Sequence, residues 1–166
     1  MRKPQFLQPG QDLVTELAFT RTRDEAFDAE TVDAFAGLER RISKNWKGGV
    51  GGLVEWSRID DDGDEATSIL LGAPVFADYD GSNDLLNPTK VGRFRVDATP
   101  FIGTFEGSDT EFLVLDTTGS YYQPLDDDHD YVVAARGRAA TILSPGLEVV
   151  PPNRRLYAGG WAAPPR

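Results

Sequence analysis

Cysteine is absent from the 166 residues, which excludes disulfide scaffolds, thiolate zinc sites and cysteine nucleophiles. A single histidine, His129, excludes histidine-rich metal centres. No apolar run approaches the roughly 18 residues a membrane-crossing helix needs, so no membrane partner is expected. The opening, Met1 to Gly10, has basic residues but no apolar core, and it reads as something other than a signal peptide. Lysine is scarce, at 4 against 13 arginines, and glutamate is outnumbered 9 to 18 by aspartate. Glycine and proline, by contrast, are plentiful at 17 and 11 residues, as in loop-rich β proteins. A chain of this length can bury a core without metal or disulfide support.

Charge is uneven. Residues 1–58 hold 9 basic and 9 acidic residues, residues 59–130 hold 3 and 17, and residues 131–166 hold 5 and 1. The segments sum to the net charge of −10. An acidic middle repels phosphate backbones, so no nucleic-acid partner is expected.

The pattern predicts a mainly β fold, barrel or sandwich, with one amphipathic helix near residues 28–44 and an extended N-terminal arm. Pro4 and Pro9 keep residues 1–15 out of a helix, and Phe6, Leu7, Leu13 and Val14 are the arm's partner-binding candidates. In residues 28–44, Val32, Phe35, Leu38 and Ile42 recur at helical spacing. Asp28 stands at the cap, acids fill the first turn, Arg40, Arg41 and Lys44 fill the last, and Gly48-Gly49 follow. From Val50 the strand signals dominate. Strands are expected at 50–59, at 68–79 with a break at Pro74, at 91–96 and at 99–105. A hairpin is expected around Thr117-Thr118-Gly119. Two strands are expected around Arg136-Gly137-Arg138, with further ones at 147–150 and 155–158. The domain reading is an arm at 1–15, one β-rich body at 16–160 and a tail at 161–166.

No constellation carries catalysis. Asp60, Asp62 and Asp64 alternate, as do Asp78, Asp80 and Asp84, which makes these six the cation candidates. Neither set has the glycine and terminal acid of a calcium loop. His129 lies among aspartates with no G-x-S-x-G serine nearby. The reading is therefore not an enzyme, with no cofactor. Trp46, Trp56 and Trp161 allow an alternative, stacking on a sugar in a carbohydrate-binding β-sandwich.

Two stretches carry a resemblance. Phe6-Leu-Gln-Pro-Gly-Gln-Asp-Leu13 is similar to the opening of small head proteins of actinobacterial phages. Leu113-Val-Leu-Asp-Thr117, followed by the Val/Ala-rich stretch from Asp128 to Ala140, resembles the capsid decoration proteins of lambda-like phages. The resemblance implies a homotrimeric, β-rich cement protein on the virion surface, bound through residues 1–15 to the major capsid protein. A head–tail connector or tail component is the nearest variant of that expectation.

Overall fold

The computed structural model of the chain describes residues 1–23, 27–61, 64–81, 92–126 and 131–156. They form nine strands: β1 Arg2–Lys3, β2 Gln11–Arg23, β3 Asp28–Arg41, β4 Trp46–Asp61, β5 Asp64–Gly72, β6 Val75–Asp80, β7 Arg93–Phe105, β8 Ser108–Pro124 and β9 Val132–Leu143. Every pairing is antiparallel, and the strands join one sheet in chain order. β5 and β6 together do the work of one strand. β5 pairs with the C-terminal half of β4 and β6 with its N-terminal half. Both then pair with β7.

The β-rich expectation holds, but its finer parts need correction. Residues 28–41 are a strand, not a helix. Valine and threonine favour extended backbone and glycine weakens a helix interior, and Val32 and Leu38 face one side while Phe35 faces the other. Apolar residues on both faces of a strand produce the three- and four-residue spacing that mimicked a helix. The described strands make one sheet, not the two packed sheets of a sandwich.

Residues 1–15 are not a detached arm. Arg2 and Lys3 pair with Val14 and Leu13, and β2 has entered the sheet by Gln11. The chain reverses between them, with Leu7 and Gly10 at positive φ. Thr117–Gly119 is no hairpin but the middle of β8, and Arg136–Arg138 is the middle of β9. Residues 147–150 form no strand, and Pro152–Arg154 make a single 3-10 turn.

The buried apolar residues sit on one face of the sheet, here called the inner face. One cluster joins Phe27, Ala29, Ile59 and Phe105. The other joins Leu70, Phe101, Phe112 and Val150, with Phe101 stacked on Phe112 at 5.0 Å between ring centroids. Val150 belongs to the segment after β9, which folds back across this face.

Candidate functional site

Strand geometry sends successive side chains to opposite faces, and paired residues share a face. The register therefore assigns every strand residue. On the outer face, Leu17 pairs with Ala34, then Val54, Leu71 and Ile102. A parallel row runs Leu13, Leu38, Val50, Val75, Ala98 and Leu115. Among the described residues no layer covers these rows: Leu17 is 78% exposed, Ile102 59% and Leu71 50%. A continuous apolar sheet face of this extent is far beyond what a water-facing surface carries.

The apolar rows end in aromatic ones. Trp46, Tyr79 and Phe94 stand in register at one end, with the Trp46 and Tyr79 rings 5.1 Å apart. Tyr121 extends the row on β8. Phe19 and Trp56 stand at the other end, in register through Val32. Beyond them come charges, Arg21 with Glu30 at 3.6 Å and Arg58 with Glu65 at 2.5 Å. Trp46 and Trp56 lie on the same strand and face. The stretch of β4 between them measures about 33 Å at ~3.3 Å per residue, or about 25 Å in projection for a strand tilted by ~40°.

Around the two apolar clusters the inner face is polar and cross-linked. Towards the Trp46 end an ion-pair ladder crosses the sheet. Arg2 reaches Asp12 at 2.9 Å and also Glu39, and Lys47 meets Glu39 at 2.6 Å. Arg95 bridges Asp78 at 3.6 Å and Asp97 at 2.6 Å, Arg93 meets Asp80 at 3.1 Å, and Arg138 meets Asp116 at 2.6 Å.

Towards the other end, the segment after β9 supplies the partners. Asn153 donates to Glu55 at 3.1 Å, and Arg154 pairs with Glu55 and with Asp33 at 3.4 Å. Glu55 is fully buried. Burial pulls the Arg154 guanidinium below its ordinary pKa, and Asp33 opposes that shift. The Thr110 hydroxyl donates to the Val149 carbonyl, and the Arg154 guanidinium lies 5.1 Å from the centre of the Phe101 ring.

The residues singled out in the sequence scatter. Asp60 is on the outer face at one end of β4, whereas Asp78 and Asp80 are on the inner face at the other end, already paired with arginines. Asp62 and Asp84, the side chain of Asp64, Trp161 and His129 lie outside the described residues. Among the described residues no three histidine, cysteine or acidic groups converge as a metal site would require. Phe6 and Leu7 sit in the turn after β1, Leu13 is on the outer face and Val14 on the inner. Trp46 and Trp56 share a face but stand at opposite ends of it, too far apart to clasp one sugar ring. Sequence reasoning missed Asp33, Glu55 and Arg154, which are far apart in the chain. Only the alternation along β4 hinted at a buried acid.

The Omp85 superfamily domain matches residues 1–162, nearly the whole chain. No curated protein matches it. The match overturns the virion reading. The resemblance to phage head and decoration proteins rested on two short stretches, whose described residues are ordinary strand and turn sequence around β1–β2 and β8–β9. A capsid-surface location, the major capsid protein as partner, a homotrimeric cement role, the connector variant and the sugar-binding alternative fall with it. The expectation of no membrane partner falls too, because it considered helices alone. Among the described residues no helix is long and apolar enough to cross a membrane, but a crossing strand needs only about ten alternating residues.

Proposed function

We propose that this chain, which belongs to the Omp85 superfamily, builds part of a transmembrane β-barrel wall in the bacterial outer membrane. Its outer face meets lipid and its inner face lines the lumen. The barrel in turn serves the assembly of other outer-membrane proteins. The role rests on surfaces, not on catalysis.

One observation carries this reading: an uncovered apolar band on one face of the sheet, edged by aromatic rows about 25 Å apart in projection, close to the height of a lipid-facing barrel band. The opposite face supports it. A water-filled lumen tolerates ion pairs and serines, whereas lipid tolerates neither. Strand length supports it too, since β2, β3, β4, β7, β8 and β9 each run 12 to 17 residues. That exceeds the five or six usual in water-soluble sheets and suffices to cross a bilayer.

The absence of cysteine provides the test. Single cysteines along β8 are placed in the intact protein in phospholipid vesicles. Leu115, Thr117 and Gly119 face outward, and Asp116, Thr118 and Ser120 face inward. Cysteines at the outward positions are expected to resist a water-soluble maleimide and to report an apolar environment to an attached fluorophore. Those at the inward positions are expected to react. Uniform reactivity along the strand would overturn the reading.

A further inference from the structure

We infer that the outer face of β8 and β9 carries a trough that holds one acyl chain of a phospholipid. The inference rests on the barrel reading above, because it needs that face to meet lipid. It starts from the register of the two strands. From mid-height towards the Trp46 end, the outward cross-strand pairs are Leu113 with Leu143, Leu115 with Thr141, Thr117 with Ala139 and Gly119 with Gly137. Each pair is smaller than the one before it. The next pair, Tyr121 with Ala135, brings back a ring. The floor therefore deepens along the strands and then stops against Tyr121.

The deep end is a hollow of about 640 Å³ bordered by Tyr79, Phe94, Gly119, Tyr121, Ala135 and Gly137. All six are outer-face positions. Arg93, Ser120 and Arg136 also border it, as the alternating residues whose side chains the register sends inward. The Tyr121 hydroxyl donates to the Gln123 side-chain oxygen at 2.7 Å, which fixes the end wall. At its shallow end the trough opens into the apolar band at Leu113 and Leu115.

The two paired glycines are not called for by the chain's own structure. Neither has a positive φ. Beyond its chain neighbours, a Cβ on Gly119 would come no nearer than 3.7 Å to another atom, and one on Gly137 would meet nothing within 4 Å. At Gly92, by contrast, a Cβ would lie 2.6 Å from the Ser120 carbonyl oxygen, so packing alone requires glycine there. Gly52, also outward and open, stands singly opposite Ala36. Glycine weakens a strand interior and marks places where another molecule comes close to the backbone. Two of them side by side on the lipid face point to an occupant from outside the chain.

A lipid chain fits that place better than a side chain of another protein. The trough runs along the strands, hence along the bilayer normal within the strand tilt, as an acyl chain does. Its deep end offers ring faces and bare backbone. In lipid there is no water to expel, so affinity comes from close contact, and small residues permit it. The ester end of the chain stands by Tyr121, since amphipathic rings lodge at the headgroup level.

The test uses the intact protein in phosphatidylcholine vesicles doped with a phosphatidylcholine that carries a photoactivatable diazirine midway along one chain. After irradiation, digestion and mass spectrometry locate the adducts. Residues 113–121 and 135–143 are expected to be labelled roughly threefold or more above residues 11–19 of β2, the order of gain that several added van der Waals contacts provide. β2 is the fair comparison, because Leu17 and Phe19 stand exposed on it and it too lies near an edge of the described sheet. The excess is expected to vanish in the G119L/G137L variant, whose leucines fill the deep end. Where that pair prevents insertion, Gly137→Leu alone serves, at the position where a Cβ meets nothing.

Quenching of Trp46 and Trp56 by brominated phosphatidylcholine checks that wild type and variant are both inserted. Equal labelling of β8–β9 and β2 would sink the trough and leave the barrel standing. Labelling of the inward residues Asp116, Thr118 and Ser120 as heavily as their outward neighbours would sink the barrel reading, and the trough with it. Disulfide-linked dimers of the Gly137→Cys protein, with the wild-type trough labelled no more than β2, would assign the place to a second copy of the chain and overturn the lipid.

Discussion

The two sides of β4 are built from one continuous stretch of sequence and obey opposite rules. Outward, Val50, Val54 and Trp56 are half exposed and touch little of the chain. Inward, Glu55 and Ser57 are fully buried, and Glu55 is held by Asn153 and Arg154 from nearly a hundred residues away. In a water-soluble sheet the buried face is apolar and the exposed face polar. Here the exposed face is apolar, and the inner face combines two apolar clusters with buried Glu55, Ser57 and Ser68 and a ladder of ion pairs. This arrangement means that burial by protein and exclusion from water are different things in this molecule.

The sharpest way to break the comparison is to remove the partner of the inward acid. Arg154→Leu leaves Glu55 uncompensated and is expected to cost about 3–5 kcal/mol, read from guanidinium unfolding of the reconstituted protein. Adding Glu55→Gln to that variant is expected to restore much of the loss. If Arg154→Leu alone is neutral, the segment after β9 does not hold the inner face.

Next comes a charge placed on each side in turn. Val54→Arg faces the centre of the apolar band and is expected to cost about 2–4 kcal/mol. Thr118→Arg faces the inner side of β8 and is expected to stay within about 1 kcal/mol. Equal costs in vesicles would erase the distinction between the faces.

A smaller effect is expected where the inner face is sealed by aromatic rings over glycine. A Cβ on Gly51 would lie 2.4 Å from the Phe35 ring and 2.8 Å from the Ala36 carbonyl. Gly51→Ala is expected to cost about 1–3 kcal/mol through forced displacement of the ring. If thermal unfolding is unchanged, Phe35 yields more freely than the packing implies. The smallest effect belongs to the outer rim. Arg58 meets Glu65 in the open, and Arg58→Ala is expected to leave the thermal unfolding midpoint essentially unchanged.

Much of the strand content was legible in the sequence, and its scale was not. Pro74 marked the real division between β5 and β6. The alternation of Arg93 and Arg95 with Phe94 and Val96 marked the two faces of β7. Yet β8 and β9 each read as two short strands, because Thr117-Thr118-Gly119 and Arg136-Gly137-Arg138 look like turns in a water-soluble protein. In a sheet this tall, the same glycines are paired strand residues, Gly119 opposite Gly137. The β3 error has a related origin: Ala34 and Ala36 fill the outer face between Val32 and Leu38, so small residues blur the two-residue period. The uncovered apolar band was invisible to a search for long apolar runs, since along each strand its residues alternate with inward-facing ones, many of them polar or small. The buried ion pairs were hidden for a plainer reason. Glu55 and Arg154 meet only through the return of the chain after β9, and no local pattern encodes that.

Pro74 and Pro100 face each other across the β5–β6 break and the middle of β7, joined by the Ala73 amide donating to the Pro100 carbonyl at 3.0 Å. Neither proline has an amide hydrogen to give to the ladder. The count of residues on β4 is nevertheless matched, two against two, so Leu71 and Val75 keep the same orientation across the gap. The result is a crease without a slip. The ladder thus lacks two amide donors along this line, while the alternation of the two faces stays in phase on either side of it.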